Sequence, residues 1–230
     1  MGVAESSIAE ALATNHAMSV GQALAMACPI ALLTCELDAA ERYVEILLDH
    51  STRHALARWR AWALSHQGVL AIQRGEFSVG LRLLRASSAE PSAIEVRQFF
   101  PFLTAEALSR AGQIADALAV IEEAIGSSER GRRWATAEML RIKGEVFLLQ
   151  GAPEAAAAAE DHFRKALDLA RRQGALAWQL RAATSLARLL CGQNRSTDAK
   201  ALLQPVFDSF SEGFGTADFK AAKTLLDALQ

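Results

Sequence analysis

The sequence predicts an all-α fold: a right-handed superhelix of about five helical hairpins, closed by a terminal helix. Three observations predict it. First, 51% of the 230 residues are apolar, alanine is abundant and β-branched runs are scarce, which suits helices better than sheets. Second, apolar residues recur at helical spacing from end to end, and no segment alternates as a strand would. Third, one pattern returns down the chain: a small residue, an apolar one three later, a turn residue four later and another small one five later. It reads Cys28-Ala31-Cys35-Ala40, Gly68-Ala71-Gly75-Gly80, Ala105-Leu108-Gly112-Ala117, Gly144-Phe147-Gly151 and Ala187-Leu190-Asn194-Ala199. Small residues before and after a turn let two helices approach closely, so each recurrence is one hairpin.

The elements follow in order. A helix over 5–15 reads as a cap or as the second helix of a truncated repeat. The helix over 18–34 carries Cys28 and ends at Cys35, with Pro29 expected to kink it. The helix over 38–53 carries Ala40; His50 and His54 near its end suit the negative pole of the helix dipole. The helix over 56–74 opens near Trp59 and stops at Gly75, and the next spans 76–88. Ser92 with Glu95 forms a capping box opening a helix over 94–111. Pro101 there reads either as a kink or as a later helix start. Helices over 114–129 and 133–150 follow, the second stopped by Gly151.

Pro153 and Glu154 open a helix over 154–173, Pro in the first turn and the acid near the positive pole. This repeat carries about three extra residues within Ala155–Ala159, after which Phe163 and Ala166 restore the apolar face. Gly174 and Gly192 are stop signals around a helix over 176–192. A helix over 195–211 contains Pro205, another expected kink. In the last helix, over 216–229, Phe219, Ala222, Leu226 and Leu229 are expected to cover the preceding hairpin, leaving Lys220, Lys223 and Asp227 to water. Residues 1–230 thus read as a single repeat domain, with 1–16 as a truncated repeat or cap and 216–229 as the closing cap.

A formal charge of −2 argues against a nucleic-acid surface. Residues 1–57 carry seven acidic residues against Arg42 and Arg53, an acidic end on a near-neutral body. Three cysteines cannot make a full disulfide set, and Cys28 and Cys35 are seven apart on one helix. All three read as small, reduced core residues of a cytoplasmic protein. The longest apolar stretch, Ala23 to Cys35, contains Pro29 and is too short to span a bilayer, so no membrane partner is expected.

Within this frame Arg133–Gly151 (RWATAEMLRIKGEVFLLQG), Glu160–Leu190 (EDHFRKALDLARRQGALAWQLRAATSLARLL) and Glu212–Leu229 (EGFGTADFKAAKTLLDAL) resemble the tetratricopeptide-like C-terminal repeat region of large bacterial signal-transduction ATPases. In that family a predicted ATPase is joined to a winged-helix regulator or a nucleotide cyclase. The resemblance covers about residues 130–230; over 20–130 mainly the hairpin pattern persists. It implies a regulatory or sensing part only, because the chain has no GxxxxGK[ST] loop, no cyclase segment and no DNA-reading helix. The turn residues are 40, 37, 39 and 43 apart, against about 34 in a tetratricopeptide repeat, so these hairpins are longer.

No catalytic constellation is legible. His50 and His54 share a helix face, but Ser51-Thr52-Arg53 between them supplies no carboxylate, so a structural role is expected and no metal or cofactor. No serine or cysteine has a recognisable base. Trp59, Trp134 and Trp178 fall sixteen or seventeen residues before a turn and read as packing residues. The groove positions of the first helices, thirteen, ten and six residues before each turn, carry the functional expectation. They are Trp62, Ser65 and Val69; Phe99, Phe102 and Glu106; Glu138, Arg141 and Glu145; Arg181, Thr184 and Arg188. Arg141, Arg181 and Arg188 could clamp a peptide carboxylate or another anion. The competing reading pairs them with Glu138 and Glu145 as inter-repeat ion pairs. Removing Arg181 and Arg188 together is expected to abolish ligand binding without unfolding.

The expected function is a non-enzymatic interaction or sensing module whose partner is a protein or peptide, including an ATPase module of the same polypeptide. A stand-alone scaffold binding peptides or forming homodimers, and an all-α enzyme, are the alternatives.

Overall fold

The computed structural model describes residues 2–89, 101–128, 134–152 and 154–229. Among them it contains twelve helices and no strand. The chain divides into two compact units, Met1–Gln113 and Ile114–Gln230.

The first unit holds α1 (Gly2–Ala13), α2 (Ala17–Leu33), α3 (Leu37–Arg53), α4 (Ala57–Gln73), α5 (Phe77–Ala89) and α6 (Pro101–Arg110). Helices α1, α2, α3 and α4 each pack on the next, and α4 also contacts α2 and α6. The second unit holds α7 (Ile114–Ser128), α8 (Thr136–Gln150), α9 (Ala155–Gln173), α10 (Leu176–Gly192), α11 (Ser196–Asp208) and α12 (Ala217–Asp227). Here α8 and α10 touch each other as well as their neighbours in sequence, and α12 packs on both α10 and α11.

The turns explain this arrangement. All five turn residues of the sequence pattern adopt a left-handed backbone: Cys35 (φ 57°), Gly75 (87°), Gly112 (74°), Gly151 (65°) and Asn194 (60°). At four of them the pattern's apolar residue supplies the carbonyl that closes the turn. Ala31 accepts from the Glu36 amide, Ala71 from Glu76, Leu108 from Gln113 and Leu190 from Arg195, at 2.8–2.9 Å. This is the Schellman arrangement, in which the left-handed residue reverses the chain and satisfies an orphan carbonyl. The residue that donates there then begins the next helix: the Glu36, Glu76 and Arg195 carbonyls accept from Ala40, Gly80 and Ala199. One short loop therefore ends a helix and starts its partner. Asn15, Ala55 and Gly174 repeat the left-handed turn between hairpins, and Ala55 and Gly174 sit in the same bonding frame.

The small residues do the packing expected of them. Gly68 and Gly80 face each other across α4 and α5: a Cβ on Gly68 would stand 3.0 Å from the Gly80 carbonyl, and one on Gly80 would stand 2.7 Å from the Gly68 carbonyl. Gly144 leaves room for the Phe163 ring of α9, and Cys28, Ala40, Ala105, Ala117, Ala187 and Ala199 are fully buried.

Several expectations need correcting. The first helix runs 2–13 rather than 5–15, because Asn15 takes the left-handed turn. Gly192 lies inside α10; the stop is Asn194. α11 ends at Asp208 rather than 211, and past Pro205, which has no amide proton to give, the last bonds tighten to Ser209–Val206 and Phe210–Phe207. Pro29 is buried within an uninterrupted α2. Of the three cysteines only Cys28 is core; Cys35 is exposed on its turn and Cys191 is half-buried. Burial pushes the Cys28 thiol pKa up. Trp59 is buried, whereas Trp134 is 44% exposed and Trp178 half-buried, so only the first of the three lies fully in the core. The terminal helix stops at Asp227 rather than 229; Phe219, Ala222 and Leu226 are buried as expected, Leu229 beyond its end is half-buried against the core, and Lys220, Lys223 and Asp227 face water. Phe207 stacks on Phe219 at 4.3 Å. The Ser92–Glu95 capping box, the start or kink at Pro101, and Pro153 involve positions outside the described residues.

Candidate functional site

In the second unit the groove positions of α8 and α10 are linked into one charged cluster. Glu138, on the first turn of α8, has a fully buried side chain. Its carboxylate accepts both Nε and Nη2 of Arg141 one turn on, at 3.0 and 2.8 Å. From α10, Arg181 Nη2 reaches the same carboxylate at 2.9 Å. Arg141 Nη1 continues to Glu145 at 3.4 Å, and Glu145 accepts the Ser185 hydroxyl at 2.6 Å. Arg181 Nη1 continues to Asp218 of α12 at 3.5 Å. The charges thus alternate as Glu145–Arg141–Glu138–Arg181–Asp218 across three helices.

Burial grades along this chain. Arg141 and Arg181 side chains are 7% and 12% exposed, whereas the end carboxylates Glu145 and Asp218 are 37% and 39% exposed. A carboxylate without water needs its charge met by fixed donors, and the two guanidinium groups supply them in planar pairs. The cluster therefore holds α8, α10 and α12 in register.

The predicted groove residues divide accordingly. Glu138, Arg141, Glu145 and Arg181 come together, but of the expected inter-repeat ion pairs only Arg181–Glu138 crosses between hairpins, Arg141 pairing within α8; Thr184 is buried with its hydroxyl bonded to the Leu180 carbonyl of its own helix at 2.7 Å. Arg188 is exposed, with no ion-pair partner among the described residues. In the first unit Trp62, Ser65 and Val69 are buried; Trp62 meets Trp59 edge-on at 5.6 Å and His66 at 6.0 Å. Phe102 is buried, Glu106 half-buried, and Phe99 lies outside the described residues. Trp62 and Phe102 are thus core residues, because their bulk fills the space between helices.

Sequence reasoning missed Ser185 and Asp218. Ser185 sits one position past the expected groove residue, and Asp218 is on the helix read only as a cap. Repeat spacing offered a signal for Asp218, since α12 packs on α10 as α10 packs on α8. His50 and His54 rings lie 4.5 Å apart, and His50 Nε2 bonds the Ala17 carbonyl at 2.9 Å. Among the described residues no group of three His, Cys, Asp or Glu side chains could hold a metal. No described helix is long and apolar enough to cross a membrane.

No family model matches the sequence. An uncharacterized protein of Rhizobium meliloti (strain 1021) is 31% identical over 163 residues, 66% of this chain. The chain spans 15% of the length of that relative. What the fold and the charged cluster define is an all-helical chain.

Proposed function

We propose that the chain is a non-enzymatic interaction or sensing module, the tetratricopeptide-like repeat region of a bacterial signal-transduction ATPase. In this reading it is a right-handed solenoid of about five hairpins, with α12 as its cap. The observation that carries it is the recurring left-handed turn flanked by small residues, at Cys35, Gly75, Gly112, Gly151 and Asn194. A relative several times longer than this chain fits a regulatory segment of a larger protein.

The ligand face is the exposed edge of the charged cluster. Glu138, Arg141 and Arg181 hold the helices, while Arg188 presents its guanidinium to a peptide carboxylate or another anion. A ligand that prefers one curvature of the array would shift its population and alter contacts with the ATPase. The Arg181 and Arg188 double variant is a poor test, because losing Arg181 strips a buried carboxylate of one partner. The better test is Arg188→Glu alone. The gene is expected to encode a phosphate-loop module in frame with this segment, and Arg188→Glu is expected to change its ligand-dependent ATPase rate with helicity intact. A gene without such a module would transfer the reading to a stand-alone peptide-binding scaffold.

A further inference from the structure

Each unit contains the same junction between hairpins, built with opposite charges. Ala71 and Leu190 hold one position of the recurring pattern, and each accepts the amide that closes its turn, from Glu76 and from Arg195. On the preceding second helix of a hairpin, the three extra residues of α9 bring Glu160 to the place of Glu41 and Arg164 to the place of Glu45. All four pairs stand 119 residues apart.

In the second unit side chains of the junction itself close it. Glu160 accepts Arg164 Nη2 at 2.6 Å and Arg195 Nη1 at 3.2 Å, and Arg195 Nε reaches on to Asp198 at 3.0 Å. Leu190 beneath them is buried. No added segment is needed there.

In the first unit carboxylates stand where both guanidinium groups would be. Glu41 accepts Arg74 at 2.6 and 2.9 Å, which holds its carboxyl below the usual range. Glu45 and Glu76, at the places of Arg164 and Arg195, are exposed and make no ion pair among the described residues. Ala71 is smaller than Leu190. What remains between α3, α4 and α5 is a cavity of about 130 Å³, partly open to solvent. Val44, Leu70, Val79 and Leu83 give it aliphatic walls, and three carboxylates line it against the single base Arg74.

Size and charge name the occupant. A cavity of about 150 Å³ takes one benzene, so this one takes about five heavy atoms. The carboxylates ask for a cation, and the walls ask for an aliphatic stem. An ammonium on a four-carbon stem, as at the end of lysine, meets both demands.

We propose that the α3–α4–α5 cavity binds a primary alkylammonium group, its stem against Val44, Leu70 and Val79 and its charge between Glu45 and Glu76. A partner's lysine and a free amine bring the same group. The site is separate from Arg188 and stands without the function proposed above.

The test titrates the full chain with butylamine and, separately, with a short lysine-containing peptide, followed by NMR of the backbone amides. Saturable shifts are expected in α3, α4 and α5, with a Kd on the order of 1 mM. Butyrate and butanol, of similar size without the positive charge, are expected to cause none. Glu45→Gln is expected to weaken binding at least about threefold. Ala71→Leu and Glu45→Arg, which restore the residues of the second unit, are expected to abolish it. Glu45 is exposed, so its variants keep the test open if Ala71→Leu disturbs folding. Either ligand upholds the site: tighter binding of the peptide assigns it to a protein's lysine, and tighter binding of butylamine to a small amine. Absent or unsaturable shifts, shifts that butanol reproduces, or binding indifferent to Glu45→Arg would overturn the proposal.

Discussion

At the scale of single residues, two buried polar side chains carry more than their neighbours. Glu138 is a carboxylate without water, held by two guanidinium groups from different helices. Removing one partner of such a group leaves the others buried and unmet, which costs about 3–5 kcal/mol. Glu138→Ala is expected to destabilise the protein by that amount in urea denaturation, and Glu145→Ala, at the exposed end, by about 1 kcal/mol or less. Equal losses would show that burial does not grade the cluster. His66 is the second case. Burial pushes its pKa down to about 4 from 6.5, so the folded imidazole stays neutral where the unfolded one takes a proton. Stability is complete above the unfolded value and falls as pH drops from 6.5 towards 4, by on the order of 3 kcal/mol. His66→Phe is expected to flatten this acid limb when unfolding is followed across that pH range.

At the scale of elements, the turn and the close contact make opposite demands on side chains. Ala55 holds a left-handed backbone (φ 53°) that a Cβ disfavours. Ala55→Gly is expected to stabilise by about 1 kcal/mol and raise the melting temperature. Gly80 lies where a Cβ would crowd the Gly68 carbonyl and the Ile72 side chain. Gly80→Ala is expected to destabilise by about 1–3 kcal/mol despite its better helix propensity, because α4 and α5 must part. Both changes read out in one thermal melt, with opposite signs. The turn pattern was legible in sequence because small residues recur at fixed distances on either side of each left-handed residue. Asn194 and Cys35 show its limit: neither is glycine, yet the pattern located both.

At the scale of the molecule, the two compact units are expected to answer separately to damage. Glu138 binds α8, α10 and, through Arg181, α12. Hydrogen exchange in Glu138→Ala is expected to quicken across these three helices while α2, α3 and α4 keep their protection. Quickening throughout would show one cooperative body. Legibility was uneven at this scale. The four core members of the charged cluster, Glu138, Arg141, Glu145 and Arg181, were all found by counting back from turns. The count worked because a groove position recurs with the repeat. It could not separate groove from core at Trp62 or Phe102, since burial there depends on the size of side chains arriving from other helices.

The sequence alone determined the helices, the left-handed turns and the small residues that let hairpins close, because each is a local demand of backbone geometry. It also determined the acidic, base-free character of residues 1–41. Only the tertiary structure decided which charges are satisfied and which apolar side chains are covered. Arg141 and Arg181 lie on one carboxylate and Arg188 does not, although all three hold equivalent kinds of position. Ile30 is exposed while Leu70, its repeat equivalent, is buried. Pairing and exposure depend on which helix lies opposite, and that is a property of packing.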